Sequence, residues 1–180
     1  MNKDTLIIIV LLFFLSIVIT SAYLFYNSKN NEQVKNKIQR DYKPGIFSIT
    51  GPNDASVNIP ITLNFMSNSN DQSVNAVSLQ VTFDPKVLEI IKIDTTQSFC
   101  QFYPENRFNN NLGTLSIQCG APHPGFKGEN VIASVQFLPK LITQTSLNIS
   151  NESMILVSDG KGTNIFSKPV SHTLTILNNI

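Results

Sequence analysis

Val77-Ser78-Leu79-Gln80-Val81-Thr82-Phe83-Asp84-Pro85 is the stretch that decides the fold. Successive side chains of an extended chain point to opposite faces, so Val77, Leu79, Val81 and Phe83 line one side and Ser78, Gln80 and Thr82 the other. This is the pattern of a strand with one face in a core and the other open to water or to a partner. Asp84-Pro85 ends it, because proline donates nothing to a ladder and sets a turn. Val87 to Ile93 then resumes extended or briefly helical chain.

Similar runs lie on both sides of this strand. Val57 to Phe65 precedes it, and Leu115 to Cys119, Ile132 to Leu138, Thr145 to Ile149, Met154 to Val157 and His172 to Leu177 follow. Gly113, Gly120, Gly125, Gly128, Gly160 and Gly162 stand between the later runs. The pattern starts near Phe47, and nothing beyond residue 45 keeps a helical period over three turns. Short strands with turn residues between them predict an all-β antiparallel sandwich over residues 46–180, about the size of one ordinary domain.

Upstream the composition changes. No charge interrupts Thr5 to Tyr26, a run about as long as the ~20 residues a helix needs to cross a bilayer. The organisation expected is a short tail at 1–4, a transmembrane helix acting as signal anchor at 5–26 and a polar stalk at 27–45. A cleaved secretory signal is the alternative, with Lys3 as its charged start and Thr20-Ser21-Ala22 as a small-residue cleavage site. No Cys follows closely, as lipoprotein processing would require. Lys29, Lys35, Lys37, Arg40 and Lys43 follow the apolar run, and by the positive-inside rule they would hold the domain in the cytoplasm. The domain type and the cysteine pair argue for the other side, so the expectation is a single-pass membrane protein with its domain extracytoplasmic, at the cell surface.

The formal charge of +1 hides an asymmetry. Residues 1–43 carry six Lys/Arg against three Asp/Glu, and residues 44–180 carry seven against nine. A folded part that is slightly acidic, with no basic cluster on any predicted strand, lacks the phosphate-neutralising footprint of a nucleic-acid binder.

Cys100 and Cys119 lie symmetrically about Asn109-Asn110, and a hairpin closing through the Asn109–Gly113 region would bring them opposite each other, within disulfide reach. Two free thiols are the alternative. Neither has the flanking His or Cys-x-x-Cys spacing of a catalytic thiol. His123 and His172 are too few and too far apart for a zinc pattern. Asp159-Gly160-Lys161-Gly162-Thr163-Asn164 lacks the acidic positions of a calcium loop and reads as a glycine-assisted turn. No metal site and no cofactor are expected. The acidic residues are scattered and no Ser/His/Asp arrangement or phosphate loop stands out, so no catalytic residues are assigned.

Val77 to Asp94, Val-Ser-Leu-Gln-Val-Thr-Phe-Asp-Pro-Lys-Val-Leu-Glu-Ile-Ile-Lys-Ile-Asp, resembles the cohesin family, whose alternating strand ends in Tyr/Phe-Asp-Pro before a Val-Leu-Glu stretch. Val57 to Phe65 looks like that family's opening strand. Gly128-Glu-Asn-Val-Ile-Ala-Ser-Val-Gln-Phe137 looks like its Gly-x-x-x-x-Ala-x-Val-x-Phe strand, and Val157 to Ile165 resembles its late Asp-x-x-Gly turn. The resemblance covers roughly residues 47–178. It implies a jelly-roll sandwich of about nine strands that docks a calcium-loaded dockerin module on another protein, as in cellulosome assembly.

The implied partner face is Ala76, Ser78, Gln80 and Thr82, with Gly120 and Ala121 at the end of a later strand. Well-studied members place Asn and Asp on that strand and an acidic residue near Gly120-Ala121-Pro122, and this chain does not. The same superfamily holds cellulose-binding modules. Phe99, Phe102, Tyr103, Phe108 and Phe126 concentrate aromatics in one region, and Phe102, Tyr103 and Phe108 are the candidates for stacking on a polysaccharide. Three readings stay open: protein docking, sugar binding, and a structural surface subunit, the last without the cleavage signal of pilins.

Overall fold

The structure is a computed structural model that describes residues 16–29 and 42–178. The chain divides into two units, Met1–Asp41 and Tyr42–Ile180.

In the first unit residues 16–29 form an α-helix, exposed along its length. Thr20 Oγ1 donates to the Ser16 carbonyl at 2.9 Å and Ser21 Oγ to that of Val18 at 2.9 Å. These fourteen residues rise about 21 Å, short of the ~30 Å hydrocarbon core. Among the described residues no helix is long and apolar enough to cross a membrane. The expected single-pass membrane placement is therefore corrected: the described helical residues, 16–29, end in polar Asn27-Ser28-Lys29 and do not make an apolar span of the length a bilayer needs. Residues 1–15 and 30–41, which hold the tail, half of the expected span and most of the stalk, lie outside the described residues.

The described residues of the second unit form eleven strands: β1 (Ile46–Thr50), β2 (Asp54–Ser56), β3 (Ile61–Asn68), β4 (Val74–Thr82), β5 (Leu88–Asp94), β6 (Phe102–Asn109), β7 (Thr114–Gly120), β8 (Glu129–Pro139), β9 (Gln144–Ile149), β10 (Met154–Val157) and β11 (Val170–Leu177). One sheet has the order β1-β3-β8-β5. The other runs β2-β11-β9-β4-β7-β6, with β10 also on β4. Gly51 and Pro52 break the opening strand into β1 and β2, and the turn through Ser150 and Ser153 separates β9 from β10. These interruptions raise the strand number above the nine expected. Asn58, at φ 63°, and Pro60 hold residues 57–60 in a turn, so β3 begins at Ile61 and not at Val57.

The core is the space between the two sheets. Leu63, Phe65, Val135 and Phe137 enter from β3 and β8, and Leu79, Val81, Leu115, Ile117, Leu147 and Leu174 from the other sheet. Each such side chain stabilises the fold by roughly 1.5–3 kcal/mol. Phe83 meets Phe137 edge-on across the core with ring centres 5.7 Å apart. Ile132 and Ala133 are consecutive yet both buried, because the β3–β8 register slips at that point and Ile132 bulges into the core. The chain joins this body at Tyr42, which packs against the core, and at Lys43, whose N–H donates to Gln72 Oε1 at 3.0 Å.

Candidate partner-binding face

β4 is the centre of the larger sheet. Val77, Leu79 and Val81 are buried on its inner side, and Ala76, Ser78, Gln80 and Thr82 take the outer side as the alternation demands. Its neighbours carry the same division. β7 buries Leu115, Ile117 and Cys119 and turns Thr114, Ser116 and Gln118 outward, while β10 buries Ile155 and Val157 and turns Met154 and Leu156 outward.

The register sorts these residues into rows. Leu156, Ala76, Gly120 and Phe102 stand side by side across β10, β4, β7 and β6. The next row is Met154, Ser78, Gln118 and Glu105. Gln80, Ser116 and Arg107 follow, and then Thr82, Thr114 and Asn109. One end of the face is thus apolar and the rest polar. Phe102 lies across Gly120: a Cβ on that glycine would come within 2.6 Å of the Phe102 ring.

A hydrogen-bonded network crosses the polar rows. Gln80 Nε2 donates to Ser116 Oγ at 2.8 Å and, more weakly, to Ser78 Oγ at 3.4 Å. Glu105 accepts Gln118 Nε2 at 2.9 Å and Arg107 Nε at 2.6 Å. The Ser116 hydroxyl beside Glu105 is the main influence holding its carboxyl below the ordinary value; desolvation opposes it, and Arg107 adds a lesser lowering. A groove of about 590 Å³ runs over this network, lined by Gln80, Glu105, Arg107, Ser116 and Gln118, with Phe108 and Leu112 at its hairpin end.

The expected site residues are not equally available. Gln80 and Thr82 reach the surface, Ser78 is nearly covered, and Gly120 lies beneath Phe102. Ala121 is buried, with its N–H donating to the Asn75 carbonyl at 2.9 Å. The aromatics divide. Phe99 and Phe126 stack on each other with centroids 3.6 Å apart, and Tyr103 packs against the core with its hydroxyl buried and no hydrogen-bond partner among the described residues. Phe102 and Phe108 are 50% and 41% exposed. They stand near opposite ends of β6, roughly 20 Å apart along an extended strand, so the three rings do not make one flat platform.

Cys100 and Cys119 are joined, with Cα atoms 5.7 Å apart. They are not facing residues of a ladder. The β6–β7 hairpin turns about Asn111-Leu112, Phe102 pairs with Gly120, and Cys100 reaches Cys119 from just before the strand. His123 Nδ1 lies 3.0 Å from Ser158 Oγ, and His172 Nε2 lies 3.3 Å from the Pro52 carbonyl. The Asp159 carboxylate accepts Lys161 N–H and the Thr163 hydroxyl from its own loop, and Tyr42 OH from the start of the domain. Thr163, the largest of these influences, with the backbone donors holds it below the ordinary carboxylate value. No group of three or more metal-ligating side chains occurs among the described residues.

The sequence reading missed Glu105, Arg107, Met154 and Leu156 as members of this face. Ser116 and Gln118 could have been found, since the alternation of Leu115 to Cys119 puts both on the polar side.

Solved structures of similar fold include clostridial cohesin modules. The cohesin module of a family 33 glycoside hydrolase from Clostridium perfringens superposes with a TM-score of 0.64 at 12% identity, over 76% of this chain and 98% of that module. CaCohA2 from Clostridium acetobutylicum, solved in solution, gives 0.57 at 11% identity, over 74% and 92%. The complex of CaCohA2 with an Arg-to-Asp variant of CaDoc0917 gives 0.57 at 9% identity, over 74% and 99%. No curated protein sequence matches the chain significantly. The Cohesin domain family matches residues 45–176, which is nearly the whole sandwich, and the chain belongs to the cohesin domain family.

Proposed function

We propose that this chain is a non-catalytic binding module that docks a dockerin-type protein module on the outer face of β10, β4, β7 and β6. The observation that carries the reading is an open sheet face, four strands wide, in a chain of the cohesin family. Its inner side is sealed as core, so the outer side is the large ordered surface this sheet offers to a partner. CaCohA2, of the same fold, is known in complex with a dockerin. A polysaccharide ligand is the competing reading, supported by the amide-lined groove and by Phe108 at its end. The separation of Phe102 from Phe108 weighs against it, because sugar rings need flat partners close together.

The test is capture of calcium-loaded dockerin modules by the full chain, beside a glycan array. Gln80→Arg with Thr82→Arg should abolish capture, while Ile91→Lys, on the opposite sheet, should leave it intact. Unchanged capture by the double variant refutes docking on this face. Glycan binding without dockerin capture favours the polysaccharide.

A further inference from the structure

Residues 44–180 carry sixteen formal charges, seven basic and nine acidic. Among the described residues of β4, β6, β7, β9, β10 and β11, Glu105 and Arg107 are the only Asp, Glu, Lys or Arg, and they close on each other at 2.6 Å. Glu105 is further occupied by Gln118. Charge on the face is therefore confined to this one pair, at its β6 edge. At one end Leu156, Ala76 and Phe102 form an apolar row with Met154 in the next, and Phe102 and Met154 are 50% and 39% exposed. Phe102 is not a loosely hanging ring, since Gly120 has no Cβ and the ring rests in the space that one would fill.

Resting on the docking reading above, we infer that the face recognises a protein module whose contacting surface is itself uncharged, with an apolar side chain seated against Phe102, Met154 and Leu156 and neutral hydroxyl or amide groups over Ser78, Gln80, Ser116 and Gln118. A Lys, Arg, Asp or Glu brought over the β10 and β4 rows would lose hydration and find counter-charge only at the Glu105–Arg107 pair on the β6 edge, which selects against charged surfaces there. An aromatic ring held on a rigid strand loses little conformational freedom on binding, which makes Phe102 the anchor.

The experiment is calorimetric titration of the full chain with an array of calcium-loaded dockerin modules graded in surface charge, CaDoc0917 among them, at about 50 and about 500 mM NaCl. The modules bound should be those with uncharged contacting surfaces, and their affinity should change less than about threefold between the two salts. Phe102→Ala should weaken binding about tenfold or more, Phe102→Leu less, and the pair Glu105→Gln with Arg107→Gln less than about threefold. Met154→Lys leaves Phe102 in place and should also abolish binding. Loss of affinity at high salt by about tenfold, or full affinity in Phe102→Ala or Met154→Lys, overturns the inference and leaves docking standing. If no module binds the unmodified chain, both fall.

Discussion

The side chain of Ser153 completes the hydrogen-bond ladder of Gln80: the Gln80 N–H donates to Ser153 Oγ at 3.0 Å, and the Gln80 carbonyl accepts the Ser150 N–H at 2.9 Å. At this residue β9 has left β4 and β10 has not yet joined it. A turn therefore fills a gap between two strands, with a fully buried hydroxyl in place of a backbone carbonyl. Ser153→Ala would leave the Gln80 N–H without a partner and should cost about 1–3 kcal/mol in urea unfolding. Because Gln80 is the midpoint of the outer face, its side-chain amide resonances should shift as well. A variant as stable as the parent would show that water replaces the hydroxyl at no cost.

The disulfide fixes the start of β6, the edge strand that supplies Phe102, Glu105 and Arg107. Cross-linking across this separation removes freedom from the unfolded chain worth about 3 kcal/mol. Cys100→Ser with Cys119→Ser, or reduction, should lower the melting temperature by roughly 10 °C. Loss of dockerin capture should begin below that melting point, since β6 is an edge strand held otherwise by its pairing with β7, its hairpin and Tyr103 packed on the core.

Glu105 gives the face a pH dependence of known sign. The Ser116 hydroxyl and Arg107 favour its charged form, so its folded titration lies below the unfolded one. Its contribution is complete above the ordinary carboxylate range and is lost as the pH falls through the lower folded value. Carboxyl-carbon NMR should find Glu105 titrating below the ordinary glutamate value, and Ser116→Ala should move it back upward. An unmoved midpoint in Ser116→Ala would assign the shift to Arg107 instead.

The sequence shows β4 plainly because its two sides have different neighbours, core on one and solvent on the other, and side-chain type follows that difference residue by residue. β6 obeys no such rule. It is an edge strand with Pro104 inside it and most residues exposed, so Phe102-Tyr103-Pro104-Glu105 carries no alternation. Of the three rings the sequence grouped there, Tyr103 packs against the core, and a register slip lies between Phe102 and Glu105 on the way to Phe108. Cross-strand rows such as Leu156, Ala76, Gly120 and Phe102 depend on pairings between segments far apart in the chain, which local pattern does not carry. The strict period of 2 made the polar side of the face legible, and its apolar end was not.

That apolar end yields the sharpest structural test, at Gly120. A methyl group there would lie 2.6 Å from the Phe102 ring and 2.8 Å from the Asn75 carbonyl oxygen. The ring can swing aside, but the carbonyl is held by the Ala121 N–H and cannot move cheaply. Gly120→Ala should therefore cost about 1–3 kcal/mol and displace Phe102 from the sheet. Ile132→Val, in the core on the opposite sheet, should cost about 0.5–1.5 kcal/mol and leave the ring where it is. Nuclear Overhauser contacts from the Phe102 ring to the Gly120 Hα protons should be strong in the parent and in Ile132→Val, and contacts to residue 120 should vanish in Gly120→Ala. If the ring is the anchor of the face, dockerin capture should fall in Gly120→Ala by much more than its stability loss accounts for, and in Ile132→Val scarcely at all. Equal loss in the two variants would reduce Gly120 to a packing residue.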